Sequence, residues 1–301
     1  MVSGTIFFDN RLARHRHHSS REFGLKRLPI WTLVLLLLVF AGCGESKKFS
    51  KPYAKQFKNS LEMNFVLISG GDFKMGSALA TAEIAKRFEC KEEFMLDEQP
   101  PHLVSLTQPY YIGVTEVTQG QWEAIMGTRP WADSESAGNG SNFPATYVTY
   151  EDVNEFCRRL SKKEGLAYRL PTEAEWEFAA RGGTKSVFFF GDDPKELDAY
   201  GWHSENSSGA QQVAQLKPNA FGLYDTCGNV FEWCSDWHSE NYYSQSPKMD
   251  PTGPASGERK VKRGGSWFNT ARFCRSAFRD DTVLMKSASD VGFRIVLEID
   301  K

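Results

Sequence analysis

The chain has 301 residues, a formal net charge of −2 and 41% hydrophobic residues. This length and composition favour one large or two small globular domains and exclude a disordered protein. The nearly balanced charge also argues against general nucleic-acid binding, which needs a strongly basic face.

Residues 1–42 are predicted to be a signal peptide. A basic stretch precedes the uncharged, mostly apolar run 28–42, which is shorter than the roughly 20 residues of a transmembrane helix and typical of a signal peptide. The run ends in Val39-Phe-Ala-Gly-Cys43. This ending resembles a bacterial lipobox, so we expect lipid on Cys43 and cleavage just before it. An uncleaved anchor and an ordinary secretion signal remain the alternatives.

A lipid on Cys43 predicts a location in the cell envelope, at the outer membrane or the cell surface, with the membrane as one partner. Residues 43–60 are polar and rich in lysine, without periodic apolar residues. We predict that they form a flexible tether and that the globular domain spans residues 61–301.

The first part of this domain is predicted to contain short strands around a surface insertion. The predicted strands lie at 64–75 (two strands around a Gly-Gly turn), 103–106 and 110–114. The stretch 81–93 between them is charged and helix-permissive, which predicts an insertion on the surface.

Two helices carry cap signals. The first is predicted at 118–126, with Thr118 as N-cap and Gln121 at the capping-box position, and a loop follows it. Thr149 caps the second, which Gly165 ends.

A third helix is predicted from Pro171 to Arg181 and carries Glu173, Glu175 and Glu177. Acidic residues in the first turn of a helix are expected from the helix dipole alone. We therefore favour that interpretation over catalytic carboxylates.

Residues 187–261 are predicted to be rich in loops, because Gly, Pro, Asn, Ser and Asp are frequent and periodic stretches are few. Aromatic packing or a bound metal would have to hold such a region. The glycines of Arg263-Gly-Gly-Ser266 then predict a tight turn or a close backbone approach, and 292–297 predicts a closing strand. The segment between them is either a site or a buried terminal hairpin.

Six motifs occur in a fixed order between residues 65 and 299. They are Gly71-Asp-Phe-Lys-Met-Gly76, Glu98-Gln-Pro-Pro-His102, Glu116-Val-Thr118, Arg169-Leu-Pro-Thr-Glu-Ala-Glu-Trp-Glu-Phe-Ala-Ala-Arg-Gly-Gly183, Gly222-Leu-Tyr-Asp-Thr-Cys-Gly-Asn-Val-Phe-Glu-Trp233 and a C-terminal signature made of Arg263-Gly-Gly-Ser266, Cys274-Arg-Ser-Ala277 and Gly292-Phe-Arg294. Together they resemble the formylglycine-generating enzyme family, also called sulfatase-modifying factors. The resemblance implies a C-type-lectin-like α+β fold with low regular secondary structure.

Six cysteines are present, and lipid on Cys43 would leave five. An odd number leaves at least one thiol free or paired between molecules, and spacing does not settle the pairing or match a zinc pattern. Cys157 lies on the apolar face of the helix that Thr149 caps, so we assign it to the core.

One calcium ion is expected from the resemblance. In the family, the loop that matches the fifth motif binds calcium, and the corresponding ligands here are the side chains of Asp225 and Glu232 and the carbonyl groups of Gly228 and Val230. Hard cations prefer such oxygen ligands. A hydrogen-bonded turn without an ion is the alternative. At the family's second calcium site the acidic residues do not line up, so we predict no second ion.

The family's founding activity oxidises a sulfatase cysteine to formylglycine at a copper site made by two cysteines. Here Cys274 matches the second cysteine, but Asn269 stands where the first belongs. An asparagine cannot supply the soft thiolate that Cu(I) prefers, so we expect no copper and take Cys274 for a packed core thiol. A related branch of the family binds iron through a histidine cluster. Here His102, His203 and His238 are widely separated in the sequence, so we expect no such iron site.

Two classes of function remain open. The first is a binding protein that uses the family fold as a scaffold, and the second is an enzyme of the family acting by a chemistry that the residues do not identify. Because a shared fold does not carry function, and because of Asn269, we favour the binding protein, with a protein or other cell-surface ligand as partner.

The segment 267–283 also resembles the variable region of proteins served by diversity-generating retroelements. These elements mutate adenines, and from an AAC codon changes of the first two bases can reach Phe, Asn, Thr, Arg and Asp. Ordinary drift within the family is the alternative. The predicted ligand-binding residues are Trp267, Phe268, Asn269, Thr270, Arg272, Phe273, Phe278, Asp280 and Asp281.

Overall fold

The computed structural model of the protein describes residues 53–299, so Cys43 and the predicted signal peptide lie outside it. The helices are α1 (Thr81–Arg87), α2 (Gln119–Met126), α3 (Tyr150–Glu164) and α4 (Glu173–Arg181). The strands are β1 (Gln56–Lys58), β2 (Asn64–Ile68), β3 (Gly71–Met75), β4 (His102–Leu106), β5 (Tyr110–Gly113), β6 (Tyr168–Arg169), β7 (Phe231–Trp237), β8 (Arg259–Arg263), β9 (Asp280–Val283), β10 (Val291–Gly292) and β11 (Val296–Glu298). Within the described residues, no helix is long and apolar enough to cross a bilayer.

Five antiparallel strands in the order β1-β2-β5-β11-β6 form the larger sheet. β11 lies between β5 and β6, so that Val296 faces Ile112 on one side and Arg169 on the other. The two ends of the domain therefore meet in one sheet. β3 pairs with β4 rather than with β2, so the two strands predicted around the Gly-Gly turn exist but belong to different sheets.

The predicted boundary between tether and domain at residue 60 is wrong. β1 pairs with β2, and the Phe57 ring lies 5.8 Å from the Phe65 ring at the edge of the core. A lysine-rich stretch with a single apolar residue shows no alternation from which a strand could be predicted. β1 forms because this residue, Phe57, packs beside β2.

The smaller sheet has the order β10-β7-β8-β9, with β10 parallel to β7 and the other pairs antiparallel. The chain leaves β8 at Arg263 and returns in β9 at Asp280, so residues 264–279 join neighbouring strands. We call these residues the β8–β9 connection. β10 ends at Gly292 and β11 begins at Val296 in the other sheet, so the predicted closing strand is divided between two sheets.

The prediction of a loop-rich region is right for residues 187–230 and wrong at β7 and β8. Most of β7 is buried on both faces, so its sequence lacks the alternation that marks a half-exposed strand. Aromatic packing holds the loops before it. The Phe190 ring stacks 4.9 Å from Phe188 and 4.4 Å from Tyr200.

The predicted helix caps are confirmed. The Thr118 and Thr149 side chains each accept a backbone N–H three residues later, and Thr172 does the same for α4. Gly165 and Gly182 end α3 and α4 in the left-handed conformation that glycine adopts without steric cost.

The insertion predicted on the surface is partly buried. The predicted stretch 81–93 contains α1, in which Ile84 and Ala85 are buried. It also contains the start of a 3₁₀ helix at Glu92–Glu98, in which Met95 and Glu98 are buried, and we call residues 81–98 the insertion. The prediction of a purely surface location for 81–93 is therefore wrong, because the rest of the domain covers Ile84 and Ala85 of α1.

Candidate functional site

The β8–β9 connection begins with two glycines whose conformation strains any other residue. Gly264 has a φ of 99° and Gly265 a φ of 74°. A Cβ atom on Gly264 would lie 3.2 Å from the Trp176 side chain, and one on Gly265 would lie 2.8 Å from the Phe273 carbonyl oxygen. The predicted close approach is confirmed, and it brings the start of the connection against α4.

Buried arginines hold both ends of the connection to α4. Arg263 and Arg279 donate to the Glu173 carboxylate at 3.2 and 2.7 Å, and Arg263 also pairs with Glu177. Burial acts to raise the pKa of Glu173, but the charges of Arg279 and Arg263 outweigh it and leave that pKa lowered. Glu173 and Glu175 lie in the first turn of α4, as the helix dipole favours, and Glu175 is also the capping-box residue. In addition, Glu173 and Glu177 are the buried counter-charges of the arginines.

Arg275 fastens the middle of the connection to the insertion. Its Nη1 and Nη2 atoms donate to the two oxygens of Glu98 at 2.7 and 2.6 Å, and its Nε atom donates to the Arg272 carbonyl at 2.7 Å. Both partners of the ion pair are buried. Such a two-pronged pair is strong and strict in geometry, so it holds the backbone of the connection in place.

The predicted ligand-binding residues divide by exposure. Phe268 is 69% exposed and Thr270 is also exposed. The half-buried members are Asn269, Arg272, Phe273, Asp280 and Asp281. Trp267 and Phe278 are buried, and the Phe278 ring packs 5.0 Å from Phe273. These two therefore support the connection from inside and do not face solvent, which corrects their predicted placement.

The insertion adds side chains to the exposed side of the connection. The Arg272 guanidinium lies 5.1 Å from the Phe94 ring and 4.3 Å from the Phe273 ring, which suits cation–π interactions. Phe94 is 49% exposed and Leu96 is 60% exposed. In the sequence, Phe94 and Leu96 differ from their neighbours only in being apolar residues within a charged stretch, which does not predict a binding surface. We call the following residues the exposed set: the exposed Phe94, Phe268 and Thr270, together with the half-buried Arg272 that contacts Phe94.

Asn269 and Cys274, which the resemblance predicts to stand at the positions of the family's copper cysteines, both have structural partners. The Asn269 Oδ1 atom accepts a hydrogen bond from Ser266 Oγ at 2.5 Å, and its carbonyl accepts from the Ser204 N–H at 3.0 Å. Cys274 is fully buried in an aromatic cluster, as predicted for a packed thiol, and burial raises its pKa to about 12.

The two aspartates at the C-terminal end of the predicted ligand-binding residues are already paired with basic side chains. Asp280 pairs with Lys262, and Asp281 pairs with Arg259 and lies 3.2 Å from His238 Nδ1. They line a small pocket of about 270 Å³. Because these carboxylates have partners, they are less available to a ligand than the exposed set.

The predicted calcium loop precedes β7 and lies against Arg294. The Glu232 carboxylate accepts Arg294 Nε at 2.5 Å, Arg294 Nη2 at 2.6 Å and Trp176 Nε1 at 2.7 Å, so both of its oxygens are engaged. Gly228 and Val230 are buried in the same loop. Across residues 53–299, no group of three His, Cys, Asp or Glu side chains forms a ready metal centre.

Two carboxylate oxygens beside this loop are nevertheless buried without a hydrogen-bond partner, Asp225 Oδ1 and Glu116 Oε2. Their sister oxygens accept from the Ala214 N–H and Asn229 Nδ2. Burial raises the pKa of Asp225 to about 6, and burial followed by repulsion from Asp225 and Glu232 raises the pKa of Glu116 well above its usual range.

Such a crowded carboxylate pair fits a divalent cation chemically, because hard cations prefer carboxylate oxygens. The side chains that would hold it are then Asp225 and Glu116, while Glu232 remains with Arg294. A proton shared between the two carboxyl groups is the alternative. The motif Glu116-Val-Thr118 is visible in the sequence, but nothing in its spacing places Glu116 beside Asp225.

We expect calcium to raise the melting temperature and a chelator to lower it. Binding to the native state alone adds about 2.7 kcal/mol at a hundredfold excess of calcium over Kd. Melting curves after exhaustive chelation and after calcium addition measure this effect, with magnesium as a control. Asp225→Asn should abolish the response, whereas Asp72→Asn, on the exposed side of β3, should keep it. A wild-type curve that ignores the chelator would leave the shared proton as the explanation.

The fold and its motif-bearing loops define a C-type-lectin-like α+β protein. The sulfatase-modifying factor enzyme 1-like domain matches residues 50–299, so the chain belongs to the sulfatase-modifying factor family.

Three known proteins illustrate this relationship. A formylglycine-generating enzyme of Streptomyces coelicolor is 30% identical over 300 residues, which cover 78% of this chain and 89% of that protein. Chaperone protein LppX of Paenibacillus barcinonensis is 26% identical over 317 residues, which cover 88% and 98%. The solved structure of Treponema denticola variable protein 1 has a TM-score of 0.70 and 31% identity, covering 83% of this chain and 100% of that one.

Proposed function

We propose that this protein is a membrane-anchored lipoprotein that binds a ligand through its β8–β9 connection. The observation that carries the proposal is the contrast within the connection. Arg263, Arg275 and Arg279 hold its backbone in place through buried ion pairs, while Phe268 is exposed and Arg272 is half-buried. Aromatic and arginine side chains on a rigid support are typical of binding hot spots.

The relatives support a protein ligand and a variable surface. The Treponema denticola protein is named a variable protein, and LppX is named a chaperone, a class of protein that acts on other proteins. We propose that Phe268, Asn269, Thr270 and Arg272 vary between copies of the gene while the buried framework stays constant, and that the partner is a protein or another cell-surface ligand.

Sequencing this gene in independent isolates tests the variability. We expect substitutions at Phe268, Asn269, Thr270 and Arg272 and none across the buried run 274–279. A template copy of this segment near a reverse transcriptase gene would support the retroelement. Substitutions spread evenly along the gene, without a template copy nearby, would contradict targeted diversification and favour ordinary drift within the family.

Site-specific crosslinking in the native host tests ligand binding. A photoreactive phenylalanine derivative is placed at Phe268 and, as a matched control, at Leu103, which is 49% exposed on β4. We expect an adduct of defined mass from position 268, lost on Arg272→Ala, and none from position 103. Equal adducts at both positions, or none at 268, would contradict the proposed surface.

The anchor is tested at Cys43. We expect wild-type cells to incorporate a labelled lipid precursor into the protein, and Cys43→Ser to abolish that labelling, because the thioether to lipid needs this sulfur. Cys90→Ser is the control, since Cys90 lies within the described domain. Unchanged labelling of the Cys43→Ser protein would overturn the lipoprotein proposal.

An enzyme of the family is the second candidate, favoured by the formylglycine-generating enzyme relative. We expect no oxidation of a sulfatase cysteine, because Asn269 is hydrogen-bonded to Ser266 and offers no thiolate beside Cys274. Mass spectrometry of a sulfatase peptide incubated with the protein, Cu(I) and oxygen measures this. Loss of the peptide thiol with gain of an aldehyde would favour the enzyme.

A further inference from the structure

Two buried cysteines that are distant in the sequence lie in one hydrophobic cluster. Cys227 and Cys274 both pack among Phe188, Phe189 and Leu197. The other described cysteines lie elsewhere: Cys157 in the main core, as predicted, Cys234 with Trp176 and Val261, and Cys90 in a half-buried position after α1. Of the five cysteines that the structure describes, only these two share a cluster.

The backbones that carry the two cysteines are in direct contact. The Gly228 N–H, one residue after Cys227, donates to the Gly264 carbonyl at 2.8 Å. The Cys274 sulfur lies against Gly265, the residue after Gly264, since a Cβ on Gly265 would come within 2.8 Å of that sulfur. The turn at Gly264 and Gly265 therefore contacts both the loop that carries Cys227 and the Cys274 side chain.

We propose that Cys227 and Cys274 form a disulfide, which would join the candidate calcium loop to the β8–β9 connection. In the reaction, two thiols lose two protons and two electrons to a disulfide oxidant such as oxidised glutathione. One protein S–S bond forms, and the oxidant leaves as two thiols. All five described cysteines are unpaired in the structure, and the proposed disulfide would leave three of them as free thiols.

The bond should form during folding rather than afterwards. Disulfide exchange needs an attacking thiolate that the oxidant can reach, and Cys227 and Cys274 are only 1% and 0% exposed once the protein is folded. The folded, reduced protein should therefore resist both alkylation and oxidation at these two positions, whereas Cys90 should react.

Refolding of the full chain tests the pairing. The protein is refolded in reduced and oxidised glutathione, its thiols are alkylated in denaturant, and unreduced peptides are mapped cysteine by cysteine so that Cys43 is scored separately. We expect one peptide linking Cys227 to Cys274, with Cys90, Cys157 and Cys234 alkylated, and a higher urea midpoint than for the reduced protein.

Two serine variants provide the comparison. Cys227→Ser should leave Cys274 alkylated, whereas the matched core variant Cys157→Ser should keep the linked peptide. If the serine variants fail to fold, the wild-type map alone decides. Alkylation of both Cys227 and Cys274 in refolded, oxidised protein, or a link from either one to another cysteine, would overturn the proposal.

Discussion

Arg294→Met is expected to lower the free energy of unfolding by about 3–5 kcal/mol, the usual cost of leaving a buried charge without its partner. Arg294 and Glu232 are both fully buried, and Arg294 also donates to the carbonyls of Gly113 and Tyr224. Without it, Glu232 would remain buried near Glu116 with no cation to compensate. Urea denaturation in calcium-free buffer measures the loss.

The pH dependence of this variant gives a second measurement. The charge of Arg294 lowers the pKa of Glu116 and of Asp225, against burial, which raises both. Removing it raises these folded-state pKa values further above the ordinary carboxyl range. A carboxyl whose folded pKa is raised contributes stability at low pH that is lost as pH rises through that pKa. The deficit of Arg294→Met should therefore be larger at pH 8 than at pH 5.

The control for this experiment is an exposed ion pair. Arg129 and Glu123 are both well exposed, so Arg129→Met should cost no more than about 1 kcal/mol. Arg294→Lys keeps a charge and should cost less than Arg294→Met. Equal small losses in Arg294→Met and Arg129→Met, with no change between pH 5 and 8, would show that the Arg294 pair contributes little.

Arg275→Met is expected to cost a further comparable amount, about 3–5 kcal/mol, and to loosen the surface that we propose for binding. It leaves Glu98 buried without its two-pronged partner. Because this pair holds the insertion against the β8–β9 connection, amide hydrogen exchange across 92–98 should become faster. Denaturation measures the first effect and hydrogen-exchange mass spectrometry the second.

Two further variants separate the effect of leaving Glu98 without a counter-charge from the effect of losing the contact that positions the insertion. Arg87 lies on the same insertion in a partly exposed pair with Glu83, so Arg87→Met should change neither measurement much. The double variant Glu98→Leu with Arg275→Met should recover much of the stability, since replacing both buried charges by apolar groups is often neutral. Unchanged exchange across 92–98 in Arg275→Met would contradict the anchoring role of the pair.

Local signals were sufficient for the helices. Thr118 and Thr149 make their capping bonds to residues three positions later, and Gly165 ends α3 by its own backbone freedom. All the groups involved lie within a few residues, so sequence spacing shows them. The strands were harder to predict, because β1 contributes one core residue and β7 is buried on both faces.

The motifs marked the important arginines without showing what they contact. Arg294 meets Glu232 across 62 positions and Arg275 meets Glu98 across 177. No periodicity links residues so far apart. Only the fold shows that the glutamates of α4 and of the insertion are the buried counter-charges of the C-terminal segment.

The sequence by itself determined the family, the helix caps and the glycine turn at 264–265, because each is a property of residue identity at a fixed local spacing. Only the tertiary structure decided that Phe268 is exposed while Phe278 is buried. It also decided that Glu232 is already paired while oxygens of Asp225 and Glu116 have no partner. Burial and pairing depend on what distant segments place around a side chain. The local sequence of an aperiodic connection therefore does not indicate which of its side chains are buried or paired.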